Sequence, residues 1–137
     1  MVPFMTPIEM FHHMHARVRD YDIRVVECFA PDGVLELPFA PAPLERRYVG
    51  RDAIRALLAP RYEAMRAAGR GIPSYDKLVI HETRDPQVIV AEFEAHTPSA
   101  PGRALAFAQV FRVADGQIVL QRDYFDSYAM AERLRVS

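Results

Sequence analysis

From Thr6 to Arg19 the hydrophobic pattern has helical spacing. Ile8, Phe11 and Val18 share one stripe with His15, and Met14 lies beside it. Thr6 suits the N-cap, Pro7 the first helical position, and Glu9 completes a capping-box spacing. A second short helix is predicted from Asp22. It carries Ile23, Val26 and Phe29 and stops at Pro31-Asp32-Gly33. Val34 to Phe39 alternates as a strand, and the two prolines in Ala40 to Leu44 make a loop. Gly50-Arg51-Asp52 opens a third helix with Ile54, Leu57, Leu58, Tyr62 and Met65 inward. Pro60 is expected to kink or split it, and Gly69 and Gly71 to end it.

Beyond that point the period changes from 3.6 to 2. Strands are predicted at Tyr75 to Thr83, Val88 to Thr97, Ala104 to Val113 and Gln117 to Phe125. Asp85-Pro86 makes the first turn, Pro98 to Gly102 a loop, and Asp115-Gly116 a tight hairpin turn. A short helix, Tyr128 to Leu134, follows. Helices first and a strand meander second indicate α+β: a curved antiparallel sheet with three N-terminal helices over its concave face. That arrangement encloses a cone-shaped hollow of the kind small ligands occupy.

Composition narrows the function classes. A length of 137 residues fits one domain, residues 1–137. Lys and Arg number 17 against 18 Asp and Glu, so no basic excess exists to hold phosphates, and nucleic acid is not an expected partner. Cys28 is the only cysteine, which excludes an internal disulfide and a cysteine-based metal centre. His12 and His15 are three apart, but a metal site needs three or four convergent ligands, so no metal is expected. No apolar run reaches membrane-spanning length and no secretory signal opens the chain, so a cytoplasmic protein without a membrane partner is expected.

Two stretches carry a family resemblance: Gly50-Arg51-Asp52-Ala53-Ile54-Arg55-Ala56-Leu57-Leu58, and Asp115-Gly116-Gln117-Ile118 followed by Gln121-Arg122-Asp123-Tyr124-Phe125-Asp126. With Phe29-Ala30-Pro31-Asp32-Gly33 upstream, the chain resembles the nuclear transport factor 2-like superfamily. Within it, the likeness is to SnoaL-like polyketide cyclases, phenazine-biosynthesis A/B proteins, limonene epoxide hydrolase and ketosteroid isomerase. The resemblance covers nearly the whole chain, in order. It implies an acid of functional importance at Asp123. It also aligns Phe93 and Ala95 with the hydrolase's Arg and Asp, so that charged relay is missing. The isomerase's base falls at Leu37 or Glu36, its second Asp at Gln109, and its helix Tyr at Met14, beside His15. The phenazine proteins' His falls at Leu57. No relative's full constellation is present.

Strand parity puts Asp123 on a face with Val119, Gln121 and Phe125, where desolvation raises a carboxyl pKa and suits proton transfer. The competing role is a structural carboxylate paired with an Arg or a backbone N–H. His15 is either a core histidine bonded to a backbone carbonyl, or a proton shuttle or donor to a substrate oxygen. Gln109, among Leu105, Phe107 and Phe111, needs a partner if buried: a ligand carbonyl or another side chain. The expected pocket is apolar, under the first and third helices, with Phe11, His15, Leu57, Phe107, Gln109, Phe111 and Asp123 in its walls. Glu36 reads as solvent-facing. Glu92, Glu94 and His96 read as the outer sheet face, as do Arg122, Tyr124 and Asp126.

Two functions from different classes follow. One is a cofactor-independent isomerase, cyclase or hydrolase acting on an apolar small molecule, with Asp123 moving the proton and His15 or Gln109 steadying an oxyanion. The other is a non-catalytic dimeric pocket protein. A small partner subunit of an oxygenase has no support beyond the fold. A homodimer through the sheet face is expected, because the row Ala106, Ala108 and Val110 is apolar for a solvated surface.

Overall fold

The computed structural model describes residues 4–69, 73–96 and 104–136, with side chains to 131. The predicted loop at Pro98 to Gly102 and the stop at Gly71 lie outside these. Helix α1 spans Pro7–Arg19, and its capping box forms as the sequence requires: the Thr6 hydroxyl accepts from the Glu9 N–H and the Glu9 carboxylate from the Thr6 N–H. Met10, Phe11, Met14 and His15 form its buried face. The chain then turns through Tyr21, which has a positive φ of 50°. Asp22 caps a 3-10 helix, Ile23–Cys28, and binds Arg17 at 3.0 Å and Arg24 at 2.7 Å.

Strand β1 runs Phe29–Glu36, not Val34 to Phe39. Pro31-Asp32-Gly33 does not stop the chain; it lies inside β1 at a break in register between Phe29 and Val34, where proline is tolerated in a sheet. A short strand β2, Arg47–Val49, pairs with β1 and has no periodicity of its own to announce it. Helix α2, Arg51–Ala67, continues through Pro60, which removes one backbone donor without ending the helix. Ile54 and Tyr62 are its buried residues; Leu57, Leu58 and Met65 are half-buried against the core. Strands β3 (Ser74–Glu82), β4 (Val88–His96), β5 (Leu105–Ala114) and β6 (Gln117–Phe125) follow, then helix α3 (Ser127–Val136). Asp115 and Gly116 both take positive φ at the β5–β6 turn, as a two-residue hairpin demands.

The sheet is curved and six-stranded, in the order β2-β1-β6-β5-β4-β3. It is mixed rather than wholly antiparallel, because β1 lies parallel to β6. A local hydrophobic pattern sets which face a strand presents, but not which strand lies beside it or in which direction. The meander from β3 to β6 returns the chain alongside β1 only after α2 and four intervening strands, β2 to β5. Helix α1 packs on β4 and β5, and α2 on β1 and β2.

The Gly50 to Leu58 stretch and the upstream Phe29 to Gly33 segment meet at one junction. The Gly50 N–H donates to the Gly33 carbonyl at 2.7 Å, and Gly50 takes a φ of 88° that other residues adopt at a cost. The Arg51 guanidinium donates to the Phe29 carbonyl at 2.8 Å. The Gly-Arg-Asp segment thus ties the start of α2 to β1.

Candidate functional site

Three antiparallel registers build the inner face of the sheet. Gln109 of β5 lies between Ala91 of β4 and Asp123 of β6, Phe107 between Phe93 and Phe125, and Phe111 between Ile89 and Gln121. Gln109 and Asp123 are therefore cross-strand neighbours on one face. Above them α1 lowers His15, which is buried, and its Nε2 lies 3.2 Å from Gln109 Oε1. An amide oxygen accepts, so His15 is assigned as the donor with its proton on Nε2. The partner is a side chain, not the backbone carbonyl of the core-histidine alternative.

His15 sits in an aromatic box. Its ring centre is 4.1 Å from Phe11, 4.8 Å from Tyr75 and 4.9 Å from Phe93. Burial in that box pushes its pKa down to about 4, against the opposing hydrogen bond to Gln109, so the imidazole is neutral near pH 7. A neutral imidazole held on Gln109 positions that amide; it is not poised to carry a proton itself.

Asp123 is half-buried as a residue, but its Oδ1 is sealed from solvent and has no hydrogen-bond partner among the described residues. Desolvation pushes its pKa up to about 7; interaction with the Gln109 side chain and the charge of Arg61 oppose the rise in part. The paired structural carboxylate is thereby disfavoured for Oδ1: among the described residues no Arg or backbone N–H meets it. A carboxyl that titrates near neutrality can both take and return a proton. With Gln109 Oε1 engaged by His15, the amide nitrogen is left for Asp123 or a ligand oxygen.

The remaining site residues divide by burial. Phe111 is fully buried beneath Phe11, with ring centres 5.7 Å apart. Phe107 is half-buried and stacks on Phe93 at 5.2 Å. Leu57 is half-buried on α2. Phe93, aligned with a charged residue of the hydrolase, is instead the hub of the aromatic cluster.

Tyr75 and Arg61 are not singled out by the sequence, which places Tyr62 only on the inward face of the third helix. Tyr75 faces inward because β3 carries one extra residue between Asp76 and Val79, with Lys77 at a φ of 56°; both Tyr75 and Ile80 then oppose inward residues of β4. Burial raises the pKa of Tyr75, and that of Tyr62 to about 12, so both phenols keep their protons. A cleft of about 210 Å3 opens between α1 and β3, with His15 in its wall.

The outer face matches expectation. Glu36 binds Arg122 at 2.8 Å, Glu92 binds His81 at 2.7 Å and Glu94 binds Lys77 at 3.2 Å. Among the described residues there is no cluster of three or more metal-ligating side chains, and no helix long and apolar enough to cross a membrane.

The chain belongs to the SnoaL-like domain family of the nuclear transport factor 2-like fold: the family profile matches residues 8–121. It is 33% identical over 113 residues to an uncharacterised PhzA/B-like protein of Pseudomonas aeruginosa, covering 79% of this chain and 74% of that one. Among solved structures it is similar to a candidate isomerase from Bacillus subtilis, with TM-score 0.71, 22% identity, and 97% and 98% of the two chains covered. A candidate polyketide cyclase from Pseudomonas putida superposes with TM-score 0.70 at 18% identity, over 93% and 97% of the chains. At those identities the structural likeness establishes the fold.

Proposed function

We propose that this protein is a cofactor-independent isomerase or cyclase that moves a proton on an apolar carbonyl compound, with Asp123 as the proton-transfer group. The observation that carries the reading is the unpartnered, solvent-sealed Oδ1 of Asp123 beside the Gln109 amide. Ionised, the carboxylate takes a proton from carbon next to the substrate carbonyl; the C–H pair becomes the enolate π bond and the carbonyl oxygen gains the charge. Where that carbon lies between the carbonyl and a C=C bond, the neutral acid returns the proton to the far end of the conjugated enolate, the double bond shifts into conjugation, and the carbonyl reforms. Gln109, cross-strand from Asp123, supplies the amide N–H for that oxygen, and His15 is a positioning residue acting through Gln109. The family and the descriptions of its structural neighbours agree with this reaction class. Hydrolase chemistry has less support, because Phe93 and Ala95 occupy the positions of the hydrolase's charged relay.

Exchange of the α-protons of an apolar cyclic ketone in heavy water, followed by NMR, tests the proposal. Asp123→Asn is expected to slow enzyme-dependent exchange on the order of 10²-fold while preserving ketone binding. Unchanged exchange together with a lowered melting temperature would remove Asp123 from the chemistry. The second reading, a non-catalytic pocket protein, would then stand; it draws on Phe93, Ala95 and Leu57 replacing relatives' functional residues. We also infer a homodimer through the outer sheet face. Exposed Ala106 and half-buried Ala108 and Val110 support it, and light scattering at micromolar concentration tests it.

A further inference from the structure

The cleft between α1 and β3 is chemically two-sided. Its apolar walls come from Phe93, from Tyr75 and Leu78 of β3, and from Phe11 and Ala16 of α1. Leu78 is 42% exposed, a large apolar side chain that the fold leaves uncovered here. Its polar side is a single helical stripe on α1, where His12, His15 and Arg19 fall three to four residues apart. No carboxylate lines the cleft among the described residues.

Arg19 is the telling residue. Of the arginines near the end of α1, Arg17 is spent on Asp22, which Arg24 also holds. Arg19 has no ion pair among the described residues, and its charge acts on the Tyr75 phenol across the cleft. A guanidinium presents paired N–H donors that match a carboxylate in a two-point contact, and it stays charged at every working pH. A volume of about 210 Å3 is smaller than the roughly 300–1,000 Å3 of a drug-sized ligand site, so it suits one ring and not a polycycle.

We propose that the α1–β3 cleft is a binding site for a small monocyclic aromatic acid, with the ring against Tyr75, Leu78 and Phe93 and the carboxylate on Arg19. The site is separate from the Asp123 carboxyl and does not depend on proton transfer there. It touches that region through His15, which has one side in the cleft wall and Nε2 on Gln109, and through Tyr75 and Phe93, the first within reach of the Asp123 charge and the second stacked on Phe107.

Benzoate is the probe, titrated into the full chain with backbone amide shifts recorded by NMR. Saturable shifts are expected along α1 from His12 to Arg19 and around Leu78. Arg19→Ala is expected to weaken binding on the order of tenfold, the worth of a charge-assisted contact. Benzamide, of the same shape without the charge, should bind the wild type about as weakly as benzoate binds Arg19→Ala. Both Arg19 and Leu78 are exposed, so Arg19→Ala and Leu78→Glu should fold, and Leu78→Glu should repel benzoate. Asp123→Asn should leave benzoate affinity unchanged, which separates this proposal from the catalytic one. It is overturned by the absence of saturable shifts at millimolar benzoate. Binding that persists unweakened in Arg19→Ala, or that is lost in Asp123→Asn, overturns it equally.

Discussion

His15 and Gln109 are 94 positions apart in sequence and meet at 3.2 Å in the interior. The contact joins a helix to the middle of a sheet and places a neutral imidazole against an amide that also neighbours Asp123. His15, Gln109 and Asp123 thus form a short line within an aromatic core, and Gln121 is the further buried polar side chain on the same sheet face among the described residues.

Removing the middle of that line should disturb both ends. Gln109→Leu keeps bulk but leaves the His15 N–H without its acceptor, at a cost of about 1–3 kcal/mol. It also removes the interaction that restrains the Asp123 pKa, so the carboxyl should titrate above about 7. Thermal melts and carbon-detected titration of Asp123 measure the two effects, and an unchanged carboxyl titration would count against the coupling.

Asp123 and His15 should oppose one another in the stability profile. Asp123 is raised from 3.8 to about 7, so over that interval the folded chain keeps a proton the unfolded chain has lost; stability falls as pH rises, with the full penalty above pH 7. His15 is lowered from 6.5 to about 4, so as pH falls through that interval the unfolded chain gains a proton the folded chain refuses, and stability falls with it. Between about pH 4 and 6.5 the slopes have opposite signs, each about 1.4 kcal/mol per pH unit at most. Asp22 and Asp85, held low chiefly by the Arg24 side chain and the Gln87 N–H, act below this window. Asp123→Asn should therefore show a melting temperature that climbs with pH, and His15→Gln one that declines. Slopes of the same sign in both variants would contradict the arrangement.

Gly33 is required for space. A Cβ there would lie 2.8 Å from the Ile118 carbonyl and 3.0 Å from that of Ala30, both backbone atoms with no freedom to yield. Gly33→Ala should cost about 1–3 kcal/mol by forcing β1 away from β6. Urea unfolding measures it, and a neutral result would mean the strands are looser than the parallel register implies.

Arg51 should be structural. Arg51→Ala removes the guanidinium hydrogen bond to the Phe29 carbonyl and is expected to cost about 1–3 kcal/mol while leaving benzoate and ketone affinity unchanged. A loss of ligand affinity with unchanged stability would instead assign the motif to a site.

What the sequence determined by itself was local. The Thr6–Glu9 box, the Asp115-Gly116 turn and the alternation of β4, β5 and β6 rest on contacts between near neighbours or on a period of two. Side-chain parity followed, and it correctly grouped Gln109 and Asp123 with the inward residues and Glu92 and Glu94 with the outward ones. Tertiary structure decided the rest. The parallel pairing of β1 with β6, the strand at Arg47–Val49 and the inclusion of Pro31 in β1 depend on which segments lie side by side, and no local pattern encodes that. Tyr75 turned inward because one inserted residue at Lys77 shifted the parity of β3. His15 found a side-chain partner on β5, and only the closed fold removes water from Asp123 Oδ1. Burial depends on every element that covers a group, so the pKa that makes Asp123 a candidate for chemistry belongs to the assembled structure.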